Sequence, residues 1–229
     1  MTAYVIATIK PWNLEAFRRR TPDLPGRWHL IGRPEDLTAE RIGASAPRYI
    51  FFPHWSWRIP DDVLESAECV VFHMTDLPYG RGGSPLQNLI ENGHETTVIS
   101  ALRAGPELDA GPIYGKRPLD LSGSAHDIFV RAADIIFDMI ADIAVAEPTP
   151  APQTGEVTIF RRRTPDQSRL PADATAERLF DHIRMLDAPT YPRAFLDRGA
   201  FRLEFSGASL KNGRLAAQVV FIPRDEAET

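Results

Sequence analysis

The segment 68–85 reads ECVVFHMTDLPYGRGGSP, and it decides the fold class of this chain. Its first six residues, Glu68–His73, form an apolar run that is typical of a buried parallel strand. A loop rich in Gly and Pro follows, and Ser84 with Pro85 is typical of the start of a helix, here Ser84–Asn92. The segment therefore predicts a strand, a stiff loop and a helix, which are the parts of an α/β fold.

The same alternation extends to both sides of this segment. Short β-branched or aromatic runs predict strands, and stretches with helical spacing predict helices between them. Strands that alternate with helices predict a Rossmann-like, mostly parallel sheet flanked by helices. The further predicted strands are Tyr4–Ile9, Trp28–Gly32, Tyr49–Phe52, Thr96–Leu102 and Gly111–Pro118, and the further helices are Asn13–Arg20, 34–44, Pro60–Ser66 and Ser124–Ala146.

The composition changes after the last of these helices. The segment 147–155, EPTPAPQTG, holds three prolines and is predicted to be a linker. It separates a predicted catalytic domain, 1–146, from a small C-terminal α+β subdomain, 156–229. An Asn-Gly turn at 211–213 predicts a hairpin there. The predicted elements of the subdomain are the strand Glu156–Arg161, the helix Thr175–Leu186 and the strands Phe201–Phe205 and Arg214–Phe221.

Composition limits the classes of protein that this chain can be. It has 229 residues, with 26 Lys and Arg against 31 Asp and Glu, and so a formal net charge of −5. No apolar run approaches the ~20 residues that a membrane span needs, and one cysteine, Cys69, excludes an intrachain disulfide framework. Mild acidity argues against nucleic-acid binding, which usually shows a basic footprint. These properties predict a cytoplasmic protein with no membrane or nucleic-acid partner.

Two loops hold the residues that are best suited to catalysis. His73 stands at the carboxyl end of a predicted parallel strand, where open α/β sheets bind ligands. Asp109 stands in GPELDAGPIYG, a loop whose Gly and Pro residues restrict the backbone. A His and an Asp brought together would form a general base. The alternative is that His73 is a hydrogen-bonded core histidine and Asp109 a turn former.

The spacing of these two motifs resembles that of the folate-dependent formyltransferases. HMTDLPYGRGGSP, 73–85, is similar to the family signature, and Asp109-Ala110-Gly111 is similar to the downstream Asp-x-Gly pattern. FRRRTPDQSRL, 160–170, and HIRMLDAPTYPRAF, 182–195, are similar to the region after the catalytic domain. The tail is too short for the complete barrel that the tRNA-dependent members carry.

The resemblance implies an enzyme that transfers a one-carbon, formyl group from 10-formyltetrahydrofolate to the primary amine of a small molecule. The first expectation for the acceptor is an amino-sugar nucleotide, and a hydroxyornithine-type or other amino metabolite stays open. Methionyl-tRNA is not expected, because the barrel is missing and the net charge is −5. A hydrolase of the same folate, a non-catalytic folate-binding protein and a homodimeric assembly also stay open.

The resemblance also assigns catalytic roles. It implies that His73 lies at the formyl group and that Asp109 orients its ring. The family Asn two residues before the His is replaced in this chain by Val71, which cannot donate a hydrogen bond. His54 is the favoured replacement donor, and its alternative role is that of a polar residue in an aromatic-lined loop. Asn13 is a second candidate, with a helix N-cap as its alternative role.

The remaining candidate residues are predicted to bind ligands. The resemblance implies that Trp55, Trp57, Leu108 and Gly111 line the folate site, since a flat pterin ring suits stacking. Core packing is the alternative for the tryptophans, and a solvated strand end is the alternative for the basic run 161–163. No metal is predicted, because the histidines outside these loops lack ligand spacing. The predicted acceptor-binding residues are Asn13, Thr75, Arg81 and Asp76, the last with a turn cap as its alternative role.

Overall fold

The structure is a computed structural model that describes residues 1–224. Its elements alternate along the first 146 residues as the sequence predicts. The helices are α1 (Pro11–Arg20), α2 (Ala39–Ser45), α3 (Asp61–Ser66), α4 (Pro85–Glu91), α5 (Ala125–Ala146) and α6 (Ala176–Arg184). The strands are β1 (Ala3–Ala7), β2 (Arg27–Ile31), β3 (Tyr49–Phe52), β4 (Glu68–His73), β5 (Arg81–Gly82), β6 (Thr96–Arg103), β7 (Ile113–Asp120), β8 (Ile159–Phe160), β9 (Ala194–Arg198), β10 (Phe201–Lys211) and β11 (Arg214–Pro223).

A six-stranded sheet has the order β2-β1-β3-β4-β6-β7. The pairs β1/β2, β1/β3 and β3/β4 are parallel, and β4/β6 is antiparallel. All residues of β1 and β3 are buried, which accounts for their uninterrupted apolar sequences. The predicted α/β class with a mostly parallel sheet and a C-terminal α+β part is confirmed.

The register of β3 and β4 determines which loops meet at one edge of the sheet. Phe52, the last residue of β3, pairs with Val71 of β4. His54 and His73 therefore each stand two residues beyond that pair, on neighbouring strands that run in the same direction. Neighbouring strands lie about 4.8 Å apart, so the two positions belong to the same edge of the sheet.

Three predicted helix starts differ from the structure. The first helix begins at Pro11, so Asn13 lies inside α1 and is not its N-cap. The predicted helix 34–44 is a short 3₁₀ turn followed by α2, whose N-cap Thr38 accepts a hydrogen bond from the backbone of Arg41. Ser84 precedes α4 with a φ of 51°, and its hydroxyl accepts from the backbone of Arg163 instead of capping the helix.

The described chain divides into two compact units, each with dense internal contacts. The first contains Met1–Gly82, Thr97–Leu119 and Phe129–Ile159, and the second contains Gly83–Thr96, Asp120–Ile128 and residues from Phe160 onward. The chain thus enters each unit more than once. The predicted linear boundaries, 1–146, 147–155 and 156–229, stay a prediction.

The second unit contains a three-stranded antiparallel sheet of order β11-β10-β9. Asn212 and Gly213, with φ of 50° and 69°, form the predicted two-residue hairpin turn between β10 and β11. β9 is absent from the sequence prediction, because its segment AFLDR lacks an alternating pattern. The predicted strand over 156–161 is reduced to Ile159–Phe160. Within residues 1–224 no helix has the length and apolar character needed to cross a membrane.

Candidate active site

His73 ends β4 with a side chain that is 8% exposed. Its Nε2 lies 2.8 Å from the carbonyl oxygen of Gly80. A carbonyl oxygen only accepts hydrogen bonds, so Nε2 carries a proton and donates it. In the neutral ring the lone pair is then at Nδ1. The backbone of the turn that follows β4 thus orients the imidazole of His73.

Asp109 lies on the other side of that ring. Its Oδ2 is 3.5 Å from His73 Nδ1 and accepts a hydrogen bond of 3.0 Å from the backbone N–H of Gly82. The residue has a φ of 53°, a left-handed conformation that is uncommon for a non-glycine residue and clusters at functional sites. The structure therefore brings together the two residues that the motifs single out, 36 positions apart in sequence.

A residue that the sequence analysis missed holds this loop in place. Gln153 Nε2 donates to the carbonyl oxygens of Asp109 and Gly111, each at 2.8 Å. Its Oε1 accepts from Arg81 at 2.8 and 3.2 Å. Gln153 belongs to the predicted linker, where one glutamine among prolines gives no local signal. The guanidinium of Arg81 belongs to this network and lies 3.6 Å from Glu107, and its predicted role in acceptor binding stays a prediction.

Gly111 has a steric role of its own. A Cβ at this position would lie 1.8 Å from the carbonyl oxygen of Arg103, so only glycine fits. This close approach lets the Asp109 loop lie against the end of β6. The predicted contact of Gly111 with folate stays a prediction.

His54 is held by two donors. Its Nδ1 lies 2.9 Å from Trp12 Nε1 and 3.1 Å from Asn13 Nδ2, and its ring meets Phe129 edge-on at 5.3 Å. Burial, with a smaller contribution from the charge of Lys10, lowers the pKa of His54 to about 3. The ring is therefore neutral at pH 7.

Asn13 is completely buried and joins the ends of two strands. Its Nδ2 lies 3.1 Å from Thr8 Oγ1 and 3.0 Å from the carbonyl oxygen of Pro53. Thr8 follows β1 and Pro53 follows β3, so the amide ties these two ends together. This contact is structural, and the predicted role of Asn13 in acceptor binding stays a prediction.

Three apolar side chains offer surface for a flat ring. Trp57 is 44% exposed and Leu108 is 70% exposed. Trp55 packs edge-on against Trp57 at 5.2 Å and against Phe52 at 5.8 Å. Its indole N–H is enclosed and has no hydrogen-bond partner within residues 1–224. An enclosed donor beside exposed aromatic surface fits a heteroaromatic ring such as a pterin, although its contacts with these residues stay a prediction.

Thr75 and Asp76 have structural partners. Thr75 is fully buried, and its carbonyl oxygen accepts from Ser100 Oγ at 2.7 Å. The Asp76 carboxylate forms an ion pair with Lys116. The roles predicted for both residues in acceptor binding stay predictions. In the part of the chain that the structure describes, no three His, Cys, Asp or Glu side chains could together hold a metal ion.

Comparison with known proteins identifies the same family as the motifs. The family model for the C-terminal domain of methionyl-tRNA formyltransferase matches residues 165–222. A solved structure of a methionyl-tRNA formyltransferase from Clostridium thermocellum is 48% identical, with a TM-score of 0.95, and the match covers 98% of this chain and 100% of that one.

More distant relatives are consistent with this result. A methionyl-tRNA formyltransferase from Halorhodospira halophila is 30% identical over 211 residues, 87% of this chain and 65% of that protein. The chain thus spans less than two thirds of the length of this relative. HypX from Aquifex aeolicus, solved in complex with tetrahydrofolic acid, is 16% identical and has a TM-score of 0.72, over 91% of this chain and 38% of that one. At that identity the likeness shows the fold alone.

These comparisons correct two expectations. The predicted amino-sugar nucleotide acceptor is wrong, because relatives that are 48% and 30% identical to this chain are named methionyl-tRNA formyltransferases. The predicted absence of a nucleic-acid partner is wrong for the same reason. The cytoplasmic location and the homodimer stay predictions.

The His73–Asp109 pair and the similarity over nearly the whole chain agree with each other. The chain belongs to the folate-dependent formyltransferases, the family of enzymes with 10-formyltetrahydrofolate as formyl donor that its motifs predict.

Proposed function

We propose that this protein transfers the formyl group of 10-formyltetrahydrofolate to the α-amino group of methionyl-tRNA. The observation that carries the proposal is the 48% identity with a methionyl-tRNA formyltransferase over 98% of this chain and 100% of that one. An identity that extends over both chains supports a common acceptor more strongly than the shared motifs do, because those motifs occur throughout the family.

The geometry at His73 supports a proton-transfer role. When bound, the donor supplies the formyl carbon and a nitrogen leaving group. The acceptor amine must lose a proton as it forms the new C–N bond, and the leaving nitrogen must gain one. His73 accepts the first proton at Nδ1, where the lone pair lies, and gives it to the leaving nitrogen. Asp109, 3.5 Å from Nδ1, stabilises the charged ring between these two events.

The net charge of −5 is not spread evenly along the chain. Residues 160–229 hold twelve Arg and Lys against ten Asp and Glu, a formal charge of +2, whereas residues 1–159 carry −7. The negative net charge of the whole chain therefore includes a C-terminal segment whose own net charge is positive. Exposed arginines in this segment are the groups that would contact phosphates.

A formylation assay tests the proposal. The protein is incubated with 10-formyltetrahydrofolate and either methionyl-tRNA, free methionine or no acceptor, and the released aminoacyl group is analysed by mass spectrometry. We expect N-formylmethionine from the charged tRNA alone, and loss of product in His73→Ala with little change in folate affinity. Release of tetrahydrofolate at an equal rate without acceptor would show a hydrolase and overturn the proposal.

A further inference from the structure

His54 has a proton on its Nε2 atom that no described residue accepts. The indole N–H of Trp12 can only donate, and it points at His54 Nδ1 from 2.9 Å. Nδ1 therefore carries the lone pair, and the proton of the neutral ring is on Nε2. That atom is enclosed and has no hydrogen-bond partner within residues 1–224. An enclosed, unsatisfied donor in a native site is a sign of a missing acceptor, such as a ligand.

The surrounding structure holds His54 in an unfavourable conformation. Its φ is 48°, in the left-handed region that few non-glycine residues adopt. The ring is fixed from two sides, by the hydrogen bond from Trp12 and by edge contact with Phe129 at 5.3 Å. Trp12 is itself stacked on Phe129, with ring centres 4.7 Å apart. Residues that packing holds in a strained backbone conformation cluster at functional positions. His54 has such a conformation and also an unused hydrogen-bond donor.

The sheet places His54 at the edge that carries His73. Both residues stand two positions beyond the paired residues Phe52 and Val71. Val71 packs against the hydrophobic cluster that contains Phe52, and its side chain has no donor. A formyl oxygen that gains negative charge as the carbon becomes tetrahedral needs a hydrogen-bond donor. The unused Nε2–H of His54 is such a donor at this edge.

We propose that His54 Nε2–H donates a hydrogen bond to the formyl oxygen, and that Trp12 is a positioning residue that fixes the proton on Nε2. The inference rests on the proposed function and deepens it by assigning the donor. His54 then contacts the reacting group, whereas Trp12 acts only through His54. Burial, which lowers the pKa of the ring to about 3, keeps it a neutral donor throughout the reaction.

Two amide substitutions separate the donor role from a general structural role. In His54→Gln the side-chain amide reaches the position of Nε2 and restores a donor there, whereas in His54→Asn the shorter amide reaches only the position of Nδ1. We expect kcat to fall about 10²–10³-fold in His54→Asn, as when an oxyanion donor is removed elsewhere, and about tenfold or less in His54→Gln. KM for the donor should change little in either. Equal losses in both variants would overturn the proposal.

The tautomer gives a readout that does not depend on activity. In protein labelled with ¹⁵N-histidine, the wild-type His54 signals should show Nε2–H. In Trp12→Phe the Asn13 amide, 3.1 Å away, is the remaining donor to Nδ1, so the share of the Nδ1–H form should rise and kcat should fall with an unchanged KM. Binding of a 5,8-dideaza analogue of the formyl donor should shift the Nε2–H proton downfield. The tetrahydrofolate analogue without the formyl group should not.

The two proposals can fail separately. If the wild-type protein forms no N-formylmethionine but the formyl analogue still shifts Nε2–H, the proposed function fails and the donor assignment stands. If the wild-type protein is active and the signal does not move, the donor assignment is overturned. Thermal unfolding of each variant checks that it is folded.

Discussion

His73 and Asp109, the reacting pair of the proposed mechanism, are each held by a hydrogen bond to the backbone. The imidazole donates to the Gly80 carbonyl, and the carboxylate accepts from the Gly82 N–H. Both partners lie in the segment 80–82, at the end of the loop that follows β4 and in β5, so one short segment sets both orientations. In the proposed mechanism, the property of Asp109 that matters is its negative charge, which stabilises the protonated ring of His73.

Replacing Asp109 by Asn tests the need for that charge. The amide keeps the size of the side chain but no longer stabilises a protonated His73, so kcat should fall about 10²-fold with little change in folate affinity. Steady-state kinetics with methionyl-tRNA measure the effect. Glu107→Gln is the matched control, since that carboxylate is 79% exposed in the same loop and should leave kcat within about twofold of wild type. A full rate in Asp109→Asn would exclude the charge from catalysis.

At the scale of elements, Glu68 joins neighbouring strands at the edge of the sheet opposite His73. Its carboxylate accepts hydrogen bonds from Arg48 at 2.7 Å and Arg103 at 2.6 Å, and from the hydroxyl of Tyr114. Burial alone would raise the pKa of Glu68, but these hydrogen bonds outweigh it and lower the pKa to about 2. Arg48 precedes β3, Arg103 ends β6 and Tyr114 lies in β7, so one carboxylate links three strands to β4.

This network makes stability depend on pH. The pKa of Glu68 is lower in the folded chain than in the unfolded chain, so its stabilisation is complete above the unfolded value of about 4.5 and is lost as the pH falls towards 2. We expect Glu68→Gln to lower the free energy of unfolding by about 2 kcal/mol at pH 7. Urea unfolding at pH 7 and at pH 3 measures the difference, which should shrink at the lower pH. A difference that is independent of pH would show that the Glu68 charge does not cause the stabilisation.

At the scale of the whole molecule, charge is distributed unevenly. The C-terminal segment 160–229 carries a formal charge of +2 and includes Arg161 and Arg162, whose side chains are exposed. Arg163, in contrast, is bonded to Glu91 and to the carbonyl oxygen of Gln167. Exposed arginines can release counterions from a phosphate backbone. These two residues are therefore the ones that we expect to contact the tRNA.

The salt dependence of tRNA binding tests this assignment. Replacing Arg161 and Arg162 together by Ala should weaken binding and reduce the slope of log K against log salt by about 1–2. Fluorescence anisotropy at several salt concentrations measures the slope. Arg58→Ala is the control, because that exposed arginine pairs with Asp61 in the first unit and should leave the slope unchanged. Equal slopes for the double variant and wild type would exclude these two residues.

The sequence predicted correctly the elements whose signal lies in neighbouring residues. Apolar runs predict β1, β3 and β4 because a strand that is buried on both faces needs uninterrupted hydrophobic residues. The Asn212-Gly213 turn is equally local, since both residues must adopt positive φ. The contacts of Asn13 and the strand β9 were not predicted, because both depend on distant residues. The amide of Asn13 is bonded to Pro53, 40 positions away, and β9 is a strand because it pairs with β10.

By itself, the sequence determined the α/β fold and the two loops that carry His73 and Asp109, because periodicity and motif spacing are properties of neighbouring residues. It also determined the family. Only the tertiary structure decided which polar atoms are satisfied: Gln153 holds the Asp109 loop, and Trp12 fixes the proton of His54 on an atom without a partner among residues 1–224. The physical reason is that burial and hydrogen bonding depend on partners tens of residues away, which a linear pattern does not specify.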